Sequence, residues 1–139
     1  MALVSASGNL VGCLVVSDTV LHKVSPVGEN WQEQLRRGSL EMAVLLTVAP
    51  GPRYGLEIIR HLEEFTDLVL TEGTIYPLLA RLARDGVLSA AWVQDEAPHP
   101  RKYYRLTPAG RQRLTHMCRE FTLFTKKIER LMAAAGGKS

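Results

Sequence analysis

The stretch from Leu70 to Gly86 constrains the fold of this chain more than any other segment. Four apolar residues recur in it at i, i+3, i+4 and i+7, which predicts a helix with one buried face. They are Ile75, Leu78, Leu79 and Leu82. The opposite face is small at its leading end, with Gly73 and Pro77, and basic at its trailing end, with Arg84. Small residues on that face let a partner approach closely.

The polar residues of this helix suit a DNA duplex. Thr74 and Tyr76 carry hydrogen-bonding groups, and Arg81 and Arg84 carry cations that reach phosphates and base edges. An ordinary solvated face has a similar composition, so the helix does not decide the question alone. With its neighbours, described below, we interpret it as the recognition helix of a DNA-binding domain.

The start of this helix has two interpretations. If Thr74 is the N-cap, Pro77 falls in the first turn, where its missing N–H costs nothing. If the helix begins at Thr71, Pro77 lies further inside and introduces a local kink. In both cases the free N–H groups at this end favour a phosphate, and Glu72 competes for them.

Charge is distributed unevenly along the 139 residues, although the net charge is only +3. An acidic segment contains Glu57, Glu63, Glu64, Asp67 and Glu72. A later basic segment contains Arg101, Lys102, Arg105, Arg111, Arg113, Arg119, Lys126, Lys127 and Arg130. A basic side suits a polyanionic partner, and we expect the acidic part to face away from it.

The sequence argues against metal, membrane and enzyme functions. Cys13 and Cys118 fit no metal-ligand spacing with the four histidines and indicate no disulfide framework. No apolar run approaches the roughly 20 residues that span a bilayer, and the start lacks the basic lead of a signal peptide. The chain shows no glycine-rich phosphate loop, no paired carboxylates and no nucleophile with its base. We therefore expect a cytoplasmic protein without metal or cofactor that is not an enzyme.

Two helices are predicted before the recognition helix. The first runs from Trp31 to Ala49, capped by Asn30 and stopped by Pro50–Pro52, and is apolar on most sides from Leu40 onward. The alternative is that Gly38-Ser39 makes its first part a separate turn, with Ser39 as a second cap. The second runs from Tyr54 to Phe65. Its buried stripe is Ile58, Leu62 and Phe65. The short loop after it makes this helix the supporting member of a helix-turn-helix pair.

Residues 1–29 are expected to form a poorly ordered extension. Leu10–Val16 and Val20–Val24 have the composition of strands, so a hairpin is the alternative, although two isolated strands are marginal in water. Ser25–Gly28 is interpreted as a linker.

A β-hairpin is predicted directly after the recognition helix. Val87–Gln94 and Arg101–Leu106 alternate as strands around a proline-containing loop. We interpret this hairpin as the wing of a winged helix; a solvated edge kept soluble by its cations is the alternative. The residues placed to reach a flanking phosphate or the minor groove are His99, Arg101 and Lys102. Trp92, on the first strand, is assigned to the core.

The last helix is predicted to form a dimer. Thr107-Pro108 is a strong helix start, and the helix is expected to run to about Ala134. Its apolar residues, spaced like the seam of a coiled coil, are Leu114, Met117, Phe121, Phe124, Ile128 and Leu131. Packing on its own domain is the alternative, but a small winged domain offers too little surface for so long a stripe. We predict a homodimer held by this helix and the helix from Trp31 to Ala49.

These segments resemble the PadR family of bacterial transcriptional regulators. The resemblance covers about residues 35–131 and rests on Leu35–Glu41, Gly51–Gly55, Thr71–Leu79 and Lys102–Gly110. It implies a dimeric winged helix-turn-helix repressor that binds a palindromic operator in double-stranded DNA and is released by a small, often aromatic, molecule. With one helix after the wing, the chain is similar to the short subfamily. By this resemblance Thr74, Tyr76, Pro77 and Lys102 lie at the DNA.

The chain departs from the family pattern in two places. The extension before residue 30 is outside the pattern, and the last helix has Phe121 and Phe124 but none of the tryptophans between which some short members hold flat aromatic molecules. Trp31 completes a possible ligand pocket with these two residues, unless it packs only in the core or at its rim. Cys118 flanks the seam, as a buried inert thiol or as a redox contact between subunits.

The sequence therefore predicts a mainly α fold with a small β-hairpin (α+β). Its parts are an extension (1–29), a winged helix-turn-helix DNA-binding domain (30–106) and a C-terminal dimerisation helix (107–135). The expected DNA-binding residues are Thr71, Gly73, Thr74, Tyr76, Pro77, Arg81, Arg84, His99, Arg101 and Lys102. The alternative is a winged-helix module that binds another protein and not DNA, in which an apolar patch would replace the basic surface.

Overall fold

The computed structural model describes residues 26–66 and 70–136. The described residues divide into two compact units, one within residues 39–118 and the other formed by residues 26–38 with 119–136. The hairpin predicted within residues 10–24 and most of the predicted extension lie outside the described residues.

The described part is mainly helical with one small antiparallel sheet, which confirms the predicted fold class. In chain order the elements are α1 (Pro26–Val48), β1 (Arg53–Tyr54), α2 (Gly55–Thr66), α3 (Glu72–Arg84), β2 (Leu88–Val93), β3 (Arg101–Leu106) and α4 (Pro108–Gly136). The strands are ordered β1-β3-β2. The sequence did not predict β1, because two residues are too few to show an alternating pattern.

Helix α1 begins earlier than predicted. It includes Pro26 to Gly28, so the linker predicted there is wrong, and Asn30 lies inside the helix and does not cap it. Proline is tolerated in the first turn because the N–H that it lacks has no intrahelical partner there. The helix ends at Val48, just before Pro50, as the sequence predicts.

The core of the unit formed by residues 39–118 is built from one face of each helix. Its buried residues include Val44, Leu45 and Val48 of α1, Ile58, Ile59 and Leu62 of α2, and Ile75, Leu79 and Leu82 of α3. Phe65, predicted on the buried stripe of α2, is instead 74% exposed. It lies in the last turn of α2, past Leu62, the final buried residue of that helix.

Helix α3 begins after Thr71, whose extended backbone makes it the N-cap residue. Thr71 makes no capping bond with its side chain; its Oγ1 lies 3.1 Å from Oγ1 of Thr74. Of the two predicted starts, the structure has the one that places Pro77 inside the helix. The carbonyl of Gly73 consequently has no N–H four residues later from which to accept a hydrogen bond.

The end of α3 leads directly into the hairpin. The N–H of Gly86 donates to the carbonyl of Ala83 (3.2 Å), and the N–H of Val87 donates to that of Leu82 (2.9 Å). This pair of bonds needs a residue with positive φ, and Gly86 supplies it with φ of +79°. The helix therefore stops at a fixed point, and β2 begins at Leu88.

Strands β2 and β3 form the predicted hairpin. Leu88 is paired with Leu106 at its base, and Val93 is paired with Arg101 near its tip. Tyr104 and Leu106 are buried in the core, whereas Arg105 between them is exposed.

Helix α4 begins as predicted and packs its first turns in the core. The N–H of Gly110 donates to Oγ1 of Thr107 (2.9 Å), so Thr107 caps the helix. Leu114 is buried, and Met117 packs against the same core cluster. Leu114, predicted for an interface between two copies, is therefore covered by its own unit, and its part in a dimer stays a prediction.

Candidate nucleic-acid interface

The face of α3 that the sequence assigns to a partner is exposed. Gly73, Pro77 and Arg84 are all exposed, whereas Ile75 on the opposite face is completely buried. A Cβ atom on Gly73 would meet nothing closer than Oγ1 of Thr71, 3.8 Å away. The missing side chain at Gly73 therefore serves no packing within the protein and leaves space for a partner.

Tyr76 lies on the flank of α3 beside the start of α2. A Cβ atom on Gly55 would lie 2.3 Å from Cε1 of Tyr76, so the ring occupies this position only because residue 55 is glycine. The side chain remains 38% exposed. Burial raises the pKa of the Tyr76 phenol and the Glu72 carboxylate raises it further, so the hydroxyl stays protonated at neutral pH and can donate a hydrogen bond.

Arg81 lies on the other flank of α3, about 140° around the helix from Tyr76. Its guanidinium is 3.4 Å from Oε1 of Glu41 and 3.8 Å from Oδ2 of Asp85. Arg113 of α4 lies 2.7 Å from the other carboxylate oxygen of Glu41. Glu41 therefore joins α1, α3 and α4 through two arginines. This engages Arg81 within the protein, and its contact with DNA stays a prediction.

The wing presents Trp92 and Lys102 on the same face. They are paired across β2 and β3, and Nζ of Lys102 lies 5.7 Å from the centre of the Trp92 ring, within range of cation–π attraction. Trp92 is 68% exposed, so its assignment to the core is wrong. Only Leu88, at the base of β2, is covered by the core. His99 is exposed in the loop between the two strands.

Arg101 is held at the base of the wing loop. Its guanidinium lies 4.3 Å from the centre of the Tyr54 ring and 3.7 Å from Oδ2 of Asp95. Asp95 also accepts hydrogen bonds from the N–H of Ala97 (2.8 Å) and the hydroxyl of Tyr103 (2.7 Å). These bonds, the one from Ala97 foremost, lower the pKa of the Asp95 carboxyl. Asp95 is therefore ionised at neutral pH and fixes the position of Arg101.

A cavity of about 510 Å³ opens between α3, the start of α2 and the wing. Its lining consists of Tyr54, Gly55, Leu56, Tyr76, Trp92, Pro100, Arg101, Lys102 and Tyr104. Of the predicted DNA contacts, the structure brings Tyr76, Arg101 and Lys102 together around this cavity. The other predicted contacts are not part of its lining.

No pattern in the sequence indicated that Tyr54, Gly55 and Trp92 share a site with the predicted contacts. They lie on three different elements, and Tyr54 reaches the site because β1 pairs it with Tyr103 of β3. The one available signal was the spacing of aromatic and basic residues on the hairpin. Its alternation places Trp92 and Lys102 on the same face once the register is known.

In the unit formed by residues 26–38 and 119–136, the residues predicted for the dimer and the ligand pocket are exposed. Trp31 is 56% exposed and Phe124 60%. Phe121, Ile128 and Leu131 are exposed as well. Cys118, which belongs to the other unit, is a free half-buried thiol that packs against the core cluster.

A helix-turn-helix pair whose second helix has an exposed face, followed by a basic hairpin, defines a winged helix-turn-helix protein. The family model for the transcriptional regulator PadR-like family matches residues 44–116. The chain therefore belongs to the PadR-like family and is a DNA-binding transcriptional regulator. Proteins of this family are regulators, not enzymes.

Solved structures of PadR-like proteins share the fold. A PadR-like transcription factor from Bacteroides fragilis is 36% identical, with a TM-score of 0.62, over 73% of this chain and 98% of that one. A PadR family transcriptional regulator from Eggerthella lenta is 27% identical, with a TM-score of 0.73, over 81% of this chain and 98% of that one. An uncharacterised protein from Lysinibacillus sphaericus is 29% identical over 69% of this chain and 90% of its own length.

None of the helices within residues 26–66 and 70–136 has the length and hydropathy needed to cross a membrane. In the same residues, no three His, Cys, Asp or Glu side chains are grouped as metal ligands would be.

Proposed function

We propose that the protein is a cytoplasmic repressor that binds a palindromic operator as a homodimer and is released by a small aromatic molecule. The observation that supports this most directly is the exposed small face of α3 beside the basic wing, both within residues 39–118. Two such surfaces related by a twofold axis suit an inverted repeat, whose half-sites lie about 34–36 Å apart along the duplex. An operator of this kind that overlaps a promoter would exclude RNA polymerase.

The homodimer is supported by the apolar stripe on the second half of α4. Phe121, Phe124, Ile128 and Leu131 keep the spacing of a helix–helix seam and are exposed in a single protomer. Exposed apolar area of this extent favours association, because a partner would remove it from water. The same helix of a second copy offers a stripe with the matching spacing.

The effector pocket is supported by three exposed aromatic residues, Trp31, Phe121 and Phe124. The chain has two tryptophans, so a Trp92→Phe variant reports Trp31 alone. We expect a flat aromatic effector to quench Trp31 fluorescence and to lower the affinity for the operator. If Trp31→Phe leaves the response of the operator complex to the effector unchanged, this pocket is wrong.

Duplexes selected from a random pool test the DNA-binding part. We expect an inverted repeat, bound with an affinity that falls steeply between roughly 50 and 200 mM salt. Tyr76→Ala and Lys102→Ala should each weaken binding about tenfold or more without unfolding the domain. Arg105→Ala is the matched control, because Arg105 lies on the other face of β3 and outside the cavity lining.

Affinity that is indifferent to salt, or equal losses for Lys102→Ala and Arg105→Ala, would show that the assigned surface does not bind DNA. Salt-independent affinity would favour the alternative function, a winged-helix module that binds another protein. Membership of the PadR-like family makes this alternative the weaker one. A reporter gene placed behind the selected operator tests repression, because expression should fall when the protein is supplied and recover with effector.

A further inference from the structure

We propose that the cavity between α2, α3 and the wing holds one nucleotide of the DNA backbone, with its phosphate at Lys102 and Arg101 and its deoxyribose against the Trp92 ring. This inference rests on the proposed binding of DNA by α3 and the wing. It adds Trp92 as a contact and Tyr54 as a positioning residue, neither of which the sequence indicated.

The cavity exists because β1 is short. Only Arg53 and Tyr54 pair with β3, opposite Tyr104 and Tyr103, and the chain then enters α2 at Gly55. The part of β3 that carries Arg101 and Lys102 therefore has no strand on that side, and the space that a longer β1 would fill is open. At about 510 Å³ the cavity has the size of a small-molecule site and exceeds the needs of a phosphate alone.

The two cations at this cavity are already positioned by aromatic rings. Lys102 lies over Trp92 (5.7 Å) and Arg101 lies over Tyr54 (4.3 Å). A side chain that is held before binding loses less conformational entropy when it meets a phosphate. Among the described residues no carboxylate lies within ion-pair distance of Lys102, whereas Arg101 is paired with Asp95. Lys102 is therefore the main phosphate ligand, and Arg101 supports it.

The aromatic lining explains why a complete nucleotide suits the site better than a bare anion. The exposed ring of Trp92 offers a flat apolar surface to a sugar, and Tyr76, which lines the same cavity, carries a hydroxyl that can donate a hydrogen bond. Since Tyr76 belongs to α3 and Trp92 to the wing, a duplex that meets both elements has its backbone at this cavity. A free aromatic anion is the competing occupant, and the experiment below separates the two.

The test compares operator affinity against salt concentration for four full-length variants. Lys102→Gln should lower the salt slope by about 1.8 per dimer, at 0.9 for each lost phosphate contact. Trp92→Ala should leave that slope unchanged but weaken binding about fivefold to thirtyfold, since it removes the ring and no charge. Val93→Ala and Arg105→Gln are the matched controls, because both residues are exposed on the hairpin and outside this cavity. Each should change affinity less than twofold.

Two further measurements identify the occupant. Trp92→Phe should recover most of the affinity lost in Trp92→Ala, because a flat ring is restored. Neutral methylphosphonates are then placed one at a time in the operator. At one phosphate per half-site, this replacement should not weaken binding by the Lys102→Gln variant any further, whereas it should still weaken binding by the Arg105→Gln variant, as it does for the wild type.

The inference is overturned if the wild type binds the operator with a steep salt dependence while Trp92→Ala and Lys102→Gln behave like their controls. That result leaves the proposed function intact. It is also overturned by two results obtained together. Benzoate would quench the fluorescence of Trp92 with a saturable binding curve in a Trp31→Phe background, and Trp92→Ala would bind the operator normally, since the cavity would then hold a small anion. If the wild type shows no salt-dependent binding to any duplex, the proposed function fails first.

Discussion

At the scale of single residues, Gly110 leaves no room for a side chain. A Cβ atom there would lie 2.0 Å from the carbonyl oxygen of Val87 and 3.0 Å from Cδ2 of Leu106. The first turn of α4 therefore lies directly against the entry to β2. Val87 cannot move away easily, because its carbonyl oxygen also accepts a hydrogen bond from the hydroxyl of Thr107 (3.1 Å).

We expect Gly110→Ala to lower the free energy of unfolding by about 1–3 kcal/mol, the range for overpacking a close contact. Urea unfolding at a fixed protein concentration measures this value, because association also contributes to stability. Gly38→Ala is the control. Gly38 lies inside α1 with nothing within 4 Å of its would-be Cβ, so alanine should raise the same free energy by about 0.5–1 kcal/mol. Effects of the same sign would contradict the contact at Gly110.

The sequence predicts which way a side chain points better than whether anything covers it. The periodicities of α2, β2 and α4 gave the faces of Phe65, Trp92 and Leu114. Phe65 and Trp92 nevertheless lie past the edge of the core and are exposed, whereas Leu114 lies within it and is buried. Burial depends on where neighbouring elements end, and no local pattern in the sequence records that.

At the scale of elements, α3 is fixed to its neighbours by one carboxylate. Glu41 of α1 is largely shielded from water, with its side chain 19% exposed, and contacts Arg81 of α3 and Arg113 of α4. A charge in this position is stabilising only while its partners are present. The ion-paired cluster therefore sets the orientation of the recognition helix on one flank, as Gly55 and Tyr76 do on the other.

We expect Glu41→Gln to lower the free energy of unfolding by about 1.5–3 kcal/mol, because two arginines lose their charged partner. Glu33→Gln is the control, since the Glu33 side chain is 48% exposed and contacts only Arg36 and Arg37 of its own helix among the ion pairs of the described residues. This variant should change the free energy of unfolding by less than about 0.5 kcal/mol. Thermal and urea unfolding of both variants measure the difference. Equal values would mean that the Glu41 cluster does not fix α3.

The hydrogen bonds that the Asp95 carboxylate accepts in the wing loop should weaken in acid. The lowered pKa of Asp95 means that its ionised form stabilises the wing at every pH above the ordinary carboxyl value, and that this contribution is lost as pH falls through the lowered pKa. We expect the Ala97 amide to stay protected from hydrogen exchange between pH 5 and 8 and its NMR signal to shift below about pH 4. Asp95→Asn should abolish that shift. A transition near neutral pH would contradict the assignment to Asp95.

Elements whose ends or periodicity are marked by the local sequence were predicted closely, and elements without such a local pattern were misplaced or missed. The hairpin strands, the end of α1 and the start of α4 follow from alternation, from Pro50 and from Thr107-Pro108. The beginning of α1 was misplaced because Asn30 imitates a cap in a stretch without clear periodicity. Strand β1 was missed because its two residues form a strand only by pairing with β3.

At the scale of the whole molecule, the proposed homodimer makes operator binding depend on the assembly of two chains. Each copy has one recognition helix and one wing among its described residues, so a twofold pair offers two equivalent surfaces to one duplex. A variant that dimerises more weakly should therefore also bind a full operator more weakly. The two steps are coupled by mass action and can be measured separately.

We expect Phe124→Ala to weaken dimerisation at least tenfold by sedimentation equilibrium, because a large apolar side chain is lost from the proposed seam. At low protein concentration operator binding should weaken with it, whereas binding to an isolated half-site should not change. Lys126→Ala is the control, since the heptad spacing puts residue 126 on the side of α4 opposite the seam. A dimer equally stable in both variants would place the interface elsewhere.

One hydroxyl group has a mechanical consequence. Oγ1 of Thr107 lies 2.6 Å from the carbonyl oxygen of Gly86 and 3.1 Å from that of Val87, and it accepts the N–H of Gly110 at 2.9 Å. The end of α3, the start of the hairpin and the first turn of α4 are thus connected through this one hydroxyl group. A rotation of the beginning of α4 is therefore transmitted to the end of α3 for as long as these hydrogen bonds remain.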